Sequence, residues 1–461
     1  MDFVGEILVI VVVFLMGFVA VLRWNEVRYR KKGLPPGTMG WPVLGETAVF
    51  FKQGPSFMQN RKDRYGNIFK THILGCPTVI SMNPDLNSYI LLNEKKGLVP
   101  GYPQSMLDIL GKSNVAAVHG PLHKVMRNAF LSILNPTIMR ENVFPKIDTF
   151  MSSHLSNWSG KIIDLQENTK EMAFLSSLNL VVSEGKSLKS EVFMQEFYAL
   201  VSGVLSLPIN LPGTSYRKGF KARNAILDLL QEIVDKRRDS PNKHDDLLAH
   251  ILKLENLSDE QIIDLIITIS YSGFETVSTT TMMCAKYISD NPTALQQLSK
   301  EHIGIREKKK SPDDPLTWED FKSMHFTKAV IYETMRLATV VNGLFRKTTQ
   351  DLELNGFMVP KGWRIYLYIR ENNYTDSFFE NPLAFNPWRW LENNKEHQKY
   401  FMQFGAGCRL CPGQEYGIAE ISAFLYYLVT RYRWKEVAGN TMLSFPRVRA
   451  PTGLQIQVWD C

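Results

Sequence analysis

Phe404-Gly-Ala-Gly-Cys-Arg-Leu-Cys-Pro-Gly413 decides how the rest of the chain is read. It is a glycine-rich loop carrying two thiols and one guanidinium, and the apolar run Ile418–Val429 behind it has a helical pattern. Gly405, Gly407 and Gly413 permit a sharp turn and a close approach to a flat ligand, where a side chain would collide. A cysteine just ahead of a helix sits where backbone N–H groups and the helix dipole favour thiolate. Thiolate is the ligand a soft or borderline metal centre prefers. Cys408-x-x-Cys411 is also the spacing of a redox dithiol or of half a zinc site. A redox pair should follow a βαβ pattern and a zinc site needs a second pair, and the sequence shows neither.

The spacing Phe404-x-x-Gly407-x-Arg409-x-Cys411-x-Gly413 resembles the haem-binding signature of the cytochrome P450 family, complete at all five fixed positions. The resemblance implies a haem b cofactor with Cys411 as the axial iron ligand and Arg409 paired with a haem propionate. Cys408 falls on a variable position and is expected to be inert. Further propionate partners by resemblance are His123 and Arg127, one helical turn apart in Gly120–Arg127, and Arg346 in Gly343–Arg346. The family often has tryptophan where His123 stands.

The longest helical pattern starts at Ser258, with Ser258 and Gln261 placed as a capping box, and runs to about Asp290. Within it lies Tyr271-Ser-Gly-Phe-Glu-Thr-Val-Ser278. A glycine and an acid-threonine pair inside an apolar helix is a local inconsistency of the kind that marks sites. A bare Gly273 would admit a haem face. Thr276 could bond back along the helix and present a hydroxyl to oxygen, with Glu275 linking it to solvent protons. The segment resembles the family's oxygen-activation segment, with Ser272 in place of the commoner alanine or glycine.

Glu333 and Arg336 stand at i,i+3 on one helical face. With Arg389, in Phe385-Asn-Pro-Trp-Arg-Trp390, they resemble the family's buried ion network. That network would brace the cysteine loop and play no part in catalysis.

At the other end, Ile7–Leu22 is apolar apart from glycine, and Phe3–Gly5 extend the run across Glu6. The length just suffices to span a bilayer. Acidic Asp2 and Glu6 precede it, and Arg23, Arg28, Arg30, Lys31 and Lys32 follow, which keeps all that follows on the cytosolic side. An uncleaved signal-anchor is expected over residues 1–23. A basic, proline-rich hinge follows over 24–45, with a stiff Gly33–Pro42, and a catalytic domain over 46–461. The localisation is then the endoplasmic reticulum membrane, single-pass, with the catalytic domain cytosolic. Sequons at Asn157, Asn256 and Asn373 would then carry no glycan.

Five cysteines form no disulfide framework. The net charge of +7 is spread out, so runs such as Lys308–Lys310 read as solvated loops rather than a nucleic-acid footprint. Short strand patterns at Ile68–His72, Thr78–Ser81 and around Leu352–Leu367 accompany long helical ones at Ala222–Arg238, Glu260–Ile288 and Lys322–Leu337. The expected fold is mainly α (α+β), a large helical domain with small sheets, which is the cytochrome P450 fold by resemblance.

The pocket segments by resemblance, Gly97–Ser113, Ala199–Leu211, Ile269–Ser272, Val340–Phe345 and Phe445–Thr452, are mostly apolar. Ser272, Asn342 and Leu344 are candidate contacts for a large apolar substrate. Gly33–Gly45, Lys96–Gly111, Tyr332–Arg346 and Phe385–Trp390 resemble the plant brassinosteroid 6-oxidase branch. That implies oxidation at carbon 6 of a steroid, 6-deoxocastasterone to castasterone through the 6-hydroxy compound, and in some members onward to the lactone. Thr276 and Glu275 would be the catalytic pair. Electrons would come from an NADPH-cytochrome P450 reductase, since the chain holds no phosphate-cradling glycine fingerprint of its own. A monomer is expected. Rival readings are a mono-oxygenase of another sterol or triterpenoid, a haem-thiolate lyase or isomerase that needs no acid-threonine pair, and a non-catalytic haem protein.

Overall fold

The computed structural model describes residues 3–183, 191–239, 244, 246–253, 257–311, 313–392 and 399–461. The chain divides into two compact units, residues 1–103 with 343–369, and residues 104–342 with 370–461.

The first unit is built on a five-stranded sheet in the order Ile68–Ile73, Cys76–Ser81, Arg364–Tyr368, Gly343–Thr348, Leu98–Pro100. Leu74 and Gly75, both at positive φ (53° and 73°), make the two-residue turn of its first hairpin, as the right-handed twist of paired strands requires. The strand expectations hold, and the run at Leu352–Leu367 resolves into three strands, Leu352–Leu354, Phe357–Val359 and Arg364–Tyr368. The proline-rich segment is tied down rather than free. Lys70 N–H donates to the Pro36 carbonyl at 2.8 Å and Met358 N–H to Gly33 at 2.7 Å.

The unit's N-terminal helix is Phe3–Leu22, 20 residues long. The side chains of residues 3–6, 8 and 10 lie outside the described set. Among the described residues no helix is long and apolar enough to cross a membrane. Its described side chains up to Val21 are exposed: Val11, Val13, Phe14, Met16, Val19 and Val21 each show 48–74% of their surface.

The second unit is mostly helical, with one three-stranded sheet of Ile162–Asp164, Gln455–Asp460 and Tyr432–Glu436. Its axis is the helix Asp259–Asp290, opened by the expected capping box. That helix packs against Leu165–Val181, His325–Ala338 and Gln414–Arg431. Apolar side chains from Ile262 to Ile288 are buried on nearly all sides, so packing rather than propensity holds it.

Two helix boundaries differ from expectation. Ala222–Arg238 begins earlier, at Ser215. Lys322–Leu337 is broken at Met324, whose ψ of 69° is not helical. A second capping box, Thr317 with Asp320, nucleates a separate short helix Trp318–Ser323 just upstream. The sequon residue Asn373 is buried, and Asn256 lies outside the described residues.

Candidate functional site

The cysteine loop owes its shape to two glycines. Gly405 and Gly407 have φ of 71° and 64°, a region costly for any residue with a Cβ. Gly413, at φ −92°, needs no such freedom. The turn is closed by Cys411 N–H donating to the Phe404 carbonyl at 2.9 Å and Leu410 N–H to Gly407 at 3.1 Å. Helix Gln414–Arg431 follows directly, which leaves Cys411 half-buried and Cys408 exposed.

The thiol differs from the sequence expectation. Burial pushes the Cys411 thiol above the ordinary range, and the Gly413 N–H and the Arg127 guanidinium only partly oppose it. Desolvation of the anion outweighs the helix end because the loop packs into the protein. A bound cationic metal reverses that balance, since a coordinating thiol is deprotonated outright.

Around this thiol the structure gathers cations. Arg127 lies on helix Gly120–Ile133, one turn after the buried His123. Burial depresses its guanidinium and nearby Arg409 depresses it further, while the thiols of Cys411 and Cys408 oppose the shift. Among the described residues no carboxylate pairs with Arg127. Arg409 is steadied by the carbonyls of Val115 (3.2 Å) and Val118 (2.7 Å). Two neighbouring guanidiniums beside a half-buried thiol form a site fit for a dianionic metal cofactor such as haem. Arg346 and Leu344 lie on strand Gly343–Thr348 of the first unit, where Arg346 is buried and donates to the Phe345 carbonyl at 3.0 Å.

The long helix shows one break in its burial. Ser272 and Thr276 are exposed and flanked by half-buried Tyr271, Gly273 and Glu275, in a helix otherwise largely buried. Thr268, Ser272, Thr276 and Thr280 each donate to the carbonyl four residues back, at 2.7–2.8 Å. The hydroxyls thus stay on the helix without unpaired donors, a pattern that tends to bend helices. At Gly273 an added Cβ would meet nothing nearer than the Ser177 Cβ at 3.5 Å, ordinary contact, so protein packing does not account for the glycine.

Glu275 does not stand alone. Its carboxylate accepts from Arg447 Nη1 at 3.0 Å, and Arg447 Nη2 donates to the Tyr271 hydroxyl at 3.2 Å. Burial raises the Glu275 carboxyl above its usual range, with Arg447 and then Lys170 pulling it down. Sequence reading placed Phe445–Thr452 along the pocket but did not single out Arg447. No local pattern marks a contact across 172 positions. Asn342 is engaged on both sides, donating to the Pro446 carbonyl at 3.2 Å and accepting from Arg370 at 3.3 Å.

Glu333, Arg336 and Arg389 do come together. Arg336 forks onto Glu333 at 2.9 and 2.8 Å and also reaches the Pro382 carbonyl at 2.7 Å. Arg389 Nε donates to Glu333 at 3.3 Å. Two further donors were missed from sequence, Asn386 N–H at 2.9 Å and Trp390 Nε1 at 2.8 Å. Rings then lead toward the loop: Trp390 to Phe401 at 4.9 Å between centroids and Phe401 to Phe404 at 6.2 Å. Phe404 carries the carbonyl that holds the Cys411 N–H.

A thiol loop ahead of a buried helix, guanidiniums beside it and a long helix with an exposed hydroxyl fit an enzyme that holds haem through a thiolate. The chain belongs to the cytochrome P450 family, whose profile matches residues 35–456. It is 59% identical over 443 residues to cytochrome P450 85A of Phaseolus vulgaris, covering 95% of each chain. It is 58% identical to cytochrome P450 85A1 of Oryza sativa subsp. japonica, covering 95% and 96%. Cholesterol 22-hydroxylase CYP90B27 of Paris polyphylla is 35% identical, covering 92% and 91%. Among solved structures, retinoic acid bound cyanobacterial CYP120A1 superposes with a TM-score of 0.85 at 25% identity, covering 93% of this chain and 99% of that one. The protein is therefore a haem-dependent mono-oxygenase whose electrons come from a reductase.

Proposed function

We propose that this mono-oxygenase oxidises carbon 6 of 6-deoxo-brassinosteroids, taking 6-deoxocastasterone through its 6-hydroxy derivative to castasterone. The observation that carries the reading is near-full-length identity of 56–59% to the cytochrome P450 85A proteins, together with the resemblance of Lys96–Gly111 and Tyr332–Arg346 to brassinosteroid 6-oxidases. The first round converts C–H, O2, NADPH and a proton to C–OH, NADP+ and water. The second converts the alcohol with the same co-reactants to the ketone, NADP+ and two waters.

Haem, when bound, supplies dioxygen activation and the path for reductase electrons. Cys411 would hold its iron, and Arg127 and Arg409, with His123 and Arg346, would hold its propionates. Thr276 presents a hydroxyl whose own proton is already given to the Ser272 carbonyl, so its oxygen is turned to accept one hydrogen bond from an incoming donor. Glu275, one position away, would link that hydroxyl to protons from solvent. Ser272, Leu344 and the apolar segments would face a steroid with few hydrogen bonds, and Asn342 would shape the wall by fixing Pro446.

The N-terminal helix supports a single-pass anchor. Ile7–Leu22 is apolar apart from glycine and is followed by Arg23, Arg28, Arg30, Lys31 and Lys32, and its described side chains up to Val21 are exposed. We carry the division into anchor (1–23), hinge (24–45) and catalytic domain (46–461) as part of this proposal. The cytosolic domain would face the endoplasmic reticulum surface and work as a monomer with its reductase. Removing residues 1–23 should release the protein from membranes that resist carbonate extraction; full retention would refute the anchor.

The test of function is reconstitution with reductase, NADPH and 6-deoxocastasterone, followed by mass spectrometry. Castasterone formed in step with NADPH use is expected. Unchanged 6-deoxocastasterone beside hydroxylation of another sterol would overturn the substrate and keep the reaction class.

A further inference from the structure

Just before the last strand of the second unit, Gln455–Asp460, a loop delivers one charged side chain onto the long helix. Leu443 and Arg449 exchange backbone hydrogen bonds at 2.8 and 2.9 Å, closing the base of this loop. Its far side is pinned by Ala450 N–H donating to Gln166 at 2.7 Å, and its middle by Asn342 on the Pro446 carbonyl at 3.2 Å. Arg447, next to Pro446, is thus presented from a braced backbone. Its fork spans one helical turn, from the Tyr271 hydroxyl to the Glu275 carboxylate.

We propose that Arg447 is a positioning residue for the oxidation: it fixes where the Glu275 carboxylate points and tethers that acid to the C-terminal loop. The proposal rests on the reading of Glu275 as proton donor. Three groups besides the backbone act on Glu275: Arg447 from the loop, Lys170 from helix Leu165–Val181, and Tyr271 on its own helix through their shared arginine. Lys170 is itself held by Glu167 at 2.7 Å, which leaves Arg447 the main opponent of burial. Without it the carboxyl rises further, and the acid is both misplaced and held neutral to higher pH.

Arg447→Met, purified with full haem content, is expected to lose product per NADPH consumed by on the order of ten- to a hundredfold at neutral pH, the scale of a misplaced reacting group. The alkaline limb of its pH profile, where the donor loses its proton, should move to higher pH, and Arg447→Lys should recover part of both. The infrared carboxyl band abolished by Glu275→Gln should titrate at higher pH in Arg447→Met than in wild type, a readout independent of turnover. In the double variant Glu275→Gln/Arg447→Met the losses should not multiply. If Arg447→Met does not fold, Tyr271→Phe, which removes one arm of the fork, should shift the profile in the same direction by less. A wild-type profile in these variants while Glu275→Gln is impaired overturns this inference alone, as do multiplying losses. A Glu275→Gln enzyme with wild-type coupling overturns the donor reading and this inference with it.

Discussion

Glu333 and Glu275 are two acids on neighbouring helices of one unit, and their surroundings differ. Glu333 is fully buried and takes hydrogen bonds from Arg336, Arg389, Trp390 and the Asn386 backbone. Glu275 keeps 21% of its side chain exposed, has one arginine at 3.0 Å, and has its carboxyl raised by burial. The first carboxylate is compensated on every side, as a buried charge must be to persist. The second is left under-compensated next to an exposed hydroxyl, the condition under which a proton can move at neutral pH. Degree of compensation separates the bracing acid Glu333 from the proposed donor Glu275.

The largest way to break that comparison is to unbalance the scaffold. Glu333→Ala leaves Arg336 buried without its partner and should cost about 3–5 kcal/mol of stability, measured as a lowered denaturant midpoint and poor haem retention. Stability within 1 kcal/mol of wild type, roughly the value of an exposed pair, would show the network to be dispensable.

Next, Thr276→Ala should leave stability nearly intact while product per NADPH falls by on the order of a hundredfold, the usual scale of a lost proton-transfer partner. Unchanged coupling would remove Thr276 from the chemistry.

Glu420 on helix Gln414–Arg431 sharpens the comparison as a buried acid with no cation beside it among the described residues. Its Oε1 has no partner among the described residues, and burial raises its carboxyl to about 8, with a Ser176 hydrogen bond opposing. Because the folded value lies above the ordinary 4.5, its contribution is full below pH 4.5 and is lost as pH rises toward about 8. The unfolded chain releases the proton first, so unfolding gains roughly 1.4 kcal/mol per pH unit across that window. Glu420→Gln should flatten that slope in pH-dependent denaturation. An unchanged slope would mean that this carboxyl is not held neutral. The smallest expected effect is Cys408→Ser, whose exposed side chain should alter neither stability nor spectrum; a shifted spectrum would give Cys408 a role.

Much of this was legible because it is local. Gly405 and Gly407 announce a left-handed turn, Ser258 and Gln261 a helix start, and Glu333 with Arg336 a shared face. Contacts between distant segments were not legible from pattern. Arg447 meets Glu275 only because a loop closed at Leu443 and Arg449 brings it there. The break at Met324 follows from a competing cap at Thr317, and the raised Cys411 thiol from burial that spacing does not encode. Arg389 was found through resemblance, whereas Trp390 and the Asn386 backbone had no signal beyond proximity to it.

The most direct measurement is the carbon monoxide difference spectrum of reduced, haem-loaded Cys411→Ser beside Cys408→Ser. The account predicts that the thiolate signature disappears in the first and persists unchanged in the second. A thiolate spectrum that survives in Cys411→Ser, or vanishes in Cys408→Ser, would contradict it.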